Sequence, residues 1–186
     1  MKKILFRLIP VAAAVLTMTS CLKNNDKYES YDSLKPIADL PKAKANAAKQ
    51  ATPTNSWMVL DTVNAGVDYL TAVHISYKDH IGDVIVKMKI DKAAAQTWLS
   101  TLGTTYKLIP DSLYSVSSFN VTVPNAGVFS TGDFAVHIKT NAKDATGTNV
   151  FKANKFILPV SIDSVTSANY TVASNFQTIF WYIRVK

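Results

Sequence analysis

Val67-Asp68-Tyr69-Leu70-Thr71-Ala72-Val73-His74-Ile75 decides the fold class. Val67, Tyr69, Thr71, Val73 and Ile75 share one face of an extended chain, while Asp68, Leu70, Ala72 and His74 share the other. That is a period of two, the pattern of a half-buried strand and not of a helix.

Working outward, the same alternation returns in Val84, Val86, Met88 and Ile90; in Phe119, Val121 and Val123; and in Phe134, Val136 and Ile138. It returns again in Phe156, Leu158, Val160 and Ile162, and in Ile179, Trp181, Ile183 and Val185. One interruption is helical: Asp91 is placed to cap a run in which Ala95, Trp98, Leu99 and Leu102 fall on one face, and Gly103 stands where the helix stops. About seven strands with turn signals between them fit an all-β fold, an antiparallel immunoglobulin-like β-sandwich with one short helix closing an end. Pro110 and Pro159 cannot donate ladder hydrogen bonds, which places Pro110 in a loop and Pro159 at an edge or bulge. Tyr106, Tyr114 and Trp181 are expected in the core with their polar atoms bonded.

The alternation begins only after residue 54. Residues 21–54 hold Lys, Asn, Ala, Gln and Pro and few large apolar side chains, and read as a flexible tether in front of a sandwich spanning residues 55–186, the alternative being that Tyr28, Tyr31, Leu34 and Ile37 dock on the domain. Before the tether comes a basic opening, Met1 to Arg7, then an apolar stretch from Leu8 to Met18. This is the layout of a secretory signal peptide over residues 1–20, and its apolar run is short of the roughly 20 residues a spanning helix needs. Met18-Thr19-Ser20-Cys21 resembles the lipobox of bacterial lipoproteins, in which the Cys is acylated before the leader is cut. Cys21 is the chain's one cysteine, so no intramolecular disulfide forms. The expected partner of the N-terminus is therefore a membrane, reached through lipid on Cys21. Leu22 occupies the position where an Asp favours inner-membrane retention, so the expected location is the outer membrane, on its periplasmic or cell-surface face.

Loss of Lys2, Lys3 and Arg7 with the leader lowers the formal charge from +7 to +4. The remaining lysines are scattered with no basic helix, which argues against nucleic acid as a partner.

Catalytic chemistry is sparse. Glycoside hydrolysis generally uses two opposed carboxyl groups, and the chain's one Glu, Glu29, lies in the tether; Asp61, Asp111, Asp144 and Asp163 read as turn residues. There is no Gly-x-Ser-x-Gly elbow, and His74, His80 and His137 show no partner in sequence, with His74 and His137 expected on the solvated face. Asp79, His80 and Asp83, and the oxygen-rich stretch Asn141, Asp144, Thr146 and Asn149 around Gly147, lack the charge of a dedicated calcium site and read as polar turns. No metal or other cofactor is expected, and neither is enzymatic activity.

Three stretches carry a family resemblance: Tyr106-Lys107-Leu108-Ile109-Pro110-Asp111-Ser112-Leu113-Tyr114 leading into Phe119 to Gly127; Phe156 to Val165; and Phe180-Trp181-Tyr182-Ile183-Arg184-Val185-Lys186. Together they resemble the small β-sandwich domain of unknown function found in surface lipoproteins of Bacteroidota, including the module in front of a family-18 endo-N-acetylglucosaminidase catalytic domain. The turn before the family's glycine is longer here by Asn125. The resemblance implies a secreted lipoprotein that neighbours glycan-degrading modules and is itself noncatalytic. The leading expectation is a binding module that contacts glycan or protein through its loops; the alternative is a structural or adhesive component that joins a partner protein through a sheet edge or surface. Exposed loop aromatics would serve sugar binding, and Tyr77, Phe129 and Phe151 are the candidates. Asp32-Ser33-Leu34, Asp61-Thr62-Val63, Asp111-Ser112-Leu113 and Asp163-Ser164-Val165 are similar to the O-glycosylation sequon of Bacteroidota, which makes Ser33, Thr62, Ser112 and Ser164 candidate attachment sites.

Overall fold

The computed structural model describes residues 35–43, 57–60, 62, 65–76, 82–102, 106–125, 129–167 and 169–185. The stretch expected to be a leader, Cys21 and Ser33 lie outside the described residues. In chain order the strands are β1 (Ile37–Asp39), β2 (Trp57–Leu60), β3 (Val67–Ser76), β4 (Val84–Ile90), β5 (Tyr106–Leu108), β6 (Tyr114–Ser115), β7 (Asn120–Val123), β8 (Phe129–Ile138), β9 (Lys155–Val165), β10 (Thr171–Val172) and β11 (Thr178–Val185). Helix α1 (Lys92–Leu102) follows β4, and the single turn α2 (Val150–Ala153) precedes β9. Among the described residues no helix is long and apolar enough to cross a membrane.

The strands form two sheets, one ordered β10-β1-β3-β8-β6 and the other β2-β11-β9-β4-β7, with β5 also paired to β9. This is the expected all-β sandwich. Its long ladders are antiparallel, the longest running from Val67 opposite Ile138 to Ser76 opposite Phe129. Three short pairs are parallel: β1 with β10, β2 with β11, and β5 with β9. Inward residues of both sheets make one core that includes Val73, Ile75, Val86, Met88, Phe134, Val136, Leu158, Ile162 and Trp181. Tyr69 meets Trp181 edge to face at 4.7 Å and joins the two sheets.

Four expectations change at this level. First, residues 35–43 are part of the sandwich and not of the tether. Strand β1 lies between β10 and β3, and Ala38 and Leu40 are fully buried. Second, α1 does not close an end. Trp98 packs on Ile157 and Tyr182, with Leu99, Tyr106 and Phe180 around them, so α1 covers the outer face of the second sheet and builds a second small core there. Strand β9 is consequently buried on both faces from Phe156 to Ile162. Asp91 caps the helix as expected, its Oδ1 accepting from the Ala94 N–H at 3.0 Å. Third, Pro159 sits in this central strand and opposite Phe180 of β11. Its carbonyl accepts from the Asp91 N–H, so its nitrogen faces the side on which β9 changes partner, from β5 at residues 155–157 to β4 at residues 160–165. No ladder bond is required of it there. Fourth, Phe119 does not join Val121 and Val123 inside; it precedes β7 and is 42% exposed.

Candidate functional site

After β8 the chain turns through a loop that was legible as an oxygen-rich stretch, and the structure shows how its polar groups are used. Asp144 organises the tip. Its Oδ1 accepts from the Thr146 N–H at 2.9 Å, the Thr148 N–H at 3.0 Å and the Thr146 hydroxyl at 2.6 Å. The Thr146 hydroxyl bond first, and then the Thr148 amide, hold the Asp144 carboxyl below the usual carboxylate range. Gly147 completes the tip with a φ of +83°, a conformation that suits glycine. Asn149 ties down the base: its Oδ1 caps α2 by accepting from the Phe151 and Lys152 N–H groups, and its Nδ2 donates to the Thr140 carbonyl at 2.8 Å. Phe151 anchors the loop from below, against Phe156 at 5.5 Å.

This loop forms one wall of an open polar cleft of about 620 Å³, lined by Thr62, Asn141, Ala142, Lys143, Gly147, Asn149 and Lys152. Thr62 comes from the connection between β2 and β3, so two loops meet at the site. Asp144 is bonded into its own loop, and no carboxylate lines the cleft among the described residues. The arrangement can take up a polar ligand through amides and ammonium groups.

The residues singled out for ligand contact fare differently. Phe151 is 4% exposed and packed against Phe156, so its ring serves the core and cannot present a face to a sugar. The Phe129 backbone pairs with Ser76 at the start of β8, and its side chain lies outside the described residues, as does Tyr77 altogether. Thr62, Ser112 and Ser164 are all exposed. Asp79 and His80 lie outside the described residues, while Asp83 accepts from the N–H of Asn125, the residue that lengthens the turn after β7. Among the described residues no group of three or more His, Cys, Asp or Glu is placed to hold a metal ion. Lys143 and Lys152 are not among the residues expected at a site. The available signal was the density of charge over residues 139–155, where four lysines accompany one aspartate.

Two histidines also depart from expectation, for each has an aspartate partner on a neighbouring strand. His137 Nδ1 lies 2.7 Å from Asp68 Oδ1. His74 Nδ1 lies 3.2 Å from Asp39 Oδ1, with its side chain only 12% exposed, so it is not a solvated surface residue. Ser76 Oγ stands 3.3 Å from that same Nδ1. A Ser-His-Asp triad needs the hydroxyl and the carboxylate on opposite ring nitrogens, so that the ring passes a proton between them. Here both meet one nitrogen, and the group acts as a clamp between β1 and β3.

Fold and cleft together define a β-sandwich domain with a preformed polar loop site. The chain belongs to a family described as an N-terminal domain, whose model matches residues 42–169, more than two thirds of its length. The resemblance carried by the Tyr106, Phe156 and Phe180 stretches is thereby established at the level of the domain family. Among solved structures the chain is similar to a candidate carbohydrate-binding protein from Bacteroides ovatus, at 11% identity and a TM-score of 0.51, covering 80% of this chain and 36% of that one. It is also similar to a two-domain protein of unknown function from Bacteroides fragilis, at 10% identity and a TM-score of 0.52, covering 88% of this chain and 50% of that one. EndoBT-3987 from Bacteroides thetaiotaomicron, solved with a Man5GlcNAc product, matches at 16% identity and a TM-score of 0.48 over 70% of this chain and 28% of that one. The chain thus spans half or less of each of these proteins, and the likeness is one of fold. No curated protein matches it.

Proposed function

We propose that this domain is a lipid-anchored, noncatalytic binding module that contacts glycan through the cleft between the Thr62 connection and the 139–152 loop. The observation that carries the reading is the cleft itself: Asn141, Lys143 and Lys152 line it on a loop whose shape is already fixed by Asp144, Asn149 and Phe151. A preformed loop with unspent polar groups is suited to binding, because little ordering cost remains to be met. The fold shared with a candidate carbohydrate-binding protein supports the same reading. Anchorage follows from the leader and Cys21, with the outer membrane favoured by Leu22. A glycan array probed with the mature chain tests the function. Binding to one class of sugar, lost when Asn141 and Lys143 are replaced by Ala, is the expected result; a well-folded chain that binds nothing sinks it.

A second reading, a structural or adhesive lipoprotein acting through a protein partner, has its own observation. Leu70 is 50% exposed on the outer face of the first sheet, and Ile37, also exposed, lies on that face. A stoichiometric partner recovered from native membranes, and lost with Leu70→Asp, would favour it. We also propose O-glycosylation at Ser33, Thr62, Ser112 and Ser164; the latter three are exposed. An intact mass of the native protein without added sugar removes that proposal.

A further inference from the structure

We infer that the glycan taken by this cleft is acidic, a carbohydrate whose carboxylate or sulfate groups are held by Lys143 and Lys152. This rests on the cleft-binding reading above and adds the chemical class of the ligand.

The charge of the cleft is one-sided. Two lysines are among its lining residues and no Asp or Glu is, among the described residues. Of the acids beside the lining residues in sequence, Asp61 lies outside the described residues, and Asp144 turns its Oδ1 to its own loop, from which it takes three hydrogen bonds. Nor does an aromatic ring line the cleft among the described residues, so it offers no ring face on which a neutral sugar would stack. What it offers is cations and amides.

Its lysines also differ from their neighbours in being uncommitted. Lys139 donates to the Ser112 carbonyl, Lys155 lies over the Tyr106 ring, Lys107 reaches Asn154, Lys92 pairs with Asp111, and Lys89 lies between Asp91 and Asp163. Lys143 and Lys152 have no such partner within the described residues, so among these residues an arriving anion displaces no ion pair. A charge-assisted hydrogen bond is roughly twice as strong as a neutral one, which makes a carboxylate or sulfate the group that gains most here.

Calorimetry on the mature chain carrying Cys21→Ser tests this, with oligogalacturonate and chondroitin sulfate oligosaccharides as acidic probes and maltoheptaose and mannopentaose as neutral ones. The expected result is binding to an acidic probe that weakens in about 0.5 M salt, as screening shortens the reach of charge. In Lys143→Gln/Lys152→Gln it falls about tenfold, two exposed contacts at roughly threefold each. Lys87→Gln, an exposed lysine on β4, leaves it unchanged. Equal loss in Lys87→Gln overturns the inference, since attraction to overall charge then accounts for the binding. Binding to neutral probes alone, indifferent to the double substitution, also overturns it while leaving the glycan reading intact. Binding to neither class overturns both.

Discussion

Gly132 shows how closely the sheets approach at one point. A Cβ there would lie 2.5 Å from the Thr122 carbonyl oxygen and 2.7 Å from a Val121 methyl, so β8 passes under β7 only because this residue has no side chain. Gly132→Ala is expected to cost about 1–3 kcal/mol, the usual range for overpacking, as a lower midpoint in urea unfolding. Tyr114 gives a pH prediction. Burial first, and then the hydrogen bond to Asp111 Oδ1 at 2.7 Å, push its phenol up to about 12 from the ordinary 10.0. A raised folded pKa means that the unfolded chain ionises first, so the contribution to stability is whole below pH 10.0 and disappears as pH rises toward about 12. Burial raises Tyr170 and Tyr182 in the same direction. Asp111→Asn should bring Tyr114 ionisation to lower pH, followed by tyrosinate absorbance; an unmoved titration would show that the pairing is absent in solution. At this scale Trp181 is legible as core, whereas Phe151 is buried and His74 mostly buried against expectation. Each lies where a loop or an alternating strand implies exposure: Phe151 packs on Phe156 just beyond a loop made compact by Asn149, and His74 meets Asp39, 35 residues away in a segment that read chiefly as tether.

The elements themselves were mostly legible, because period two is a local signal and survives without knowledge of the partner. What was hidden is pairing. Strand β1 is three residues between Pro36 and Pro41, too short to alternate visibly, and it is held by neighbours more than 30 residues away in sequence, Thr171 on one side and Ser76 on the other. Pro159 looked like an edge marker because a proline removes one donor, but the strand around it changes partner at that residue. Helix α1 was correctly capped and bounded in sequence; its location was not, since an amphipathic stripe does not say which surface receives it. Removing the cap with Asp91→Ala should cost about 1 kcal/mol in denaturant unfolding. Trp98→Ala removes the centre of the outer core, including its bond to the Tyr182 hydroxyl and its stacking on Phe180 at 5.3 Å, and should cost about 3–5 kcal/mol. A change no larger than that of the cap substitution would mean that α1 is a loosely attached cover.

For the whole molecule, the folded unit begins earlier than composition suggests: Lys35–Lys186 forms one compact unit, with β1 inside its first sheet. A chain that starts at residue 44 should therefore lose cooperative unfolding, whereas one that starts at residue 35 keeps it, as followed by hydrogen exchange of β3 amides. Equal protection in the two would return residues 35–43 to the tether. The cleft belongs to this scale also, because it is made by two loops far apart in sequence, and only its 139–152 wall was visible as a polar stretch. The excess of lysines over residues 139–155 was readable in the sequence, but which of them are already committed elsewhere was not.

The placement of β1 has a mechanical consequence. A pull arriving from the N-terminal side enters the fold at Lys35 and runs along the axis of β1, which is gripped on both edges. Pro36 and Ala38 carbonyls accept from the Thr171 and Ala173 N–H groups, and the Leu40 N–H donates to the Phe176 carbonyl. These bonds lie across the direction of pull and are loaded together, in shear, where a strand peeled from one end would yield them one at a time. A load entering at Lys35 is thus met by the whole grip at once.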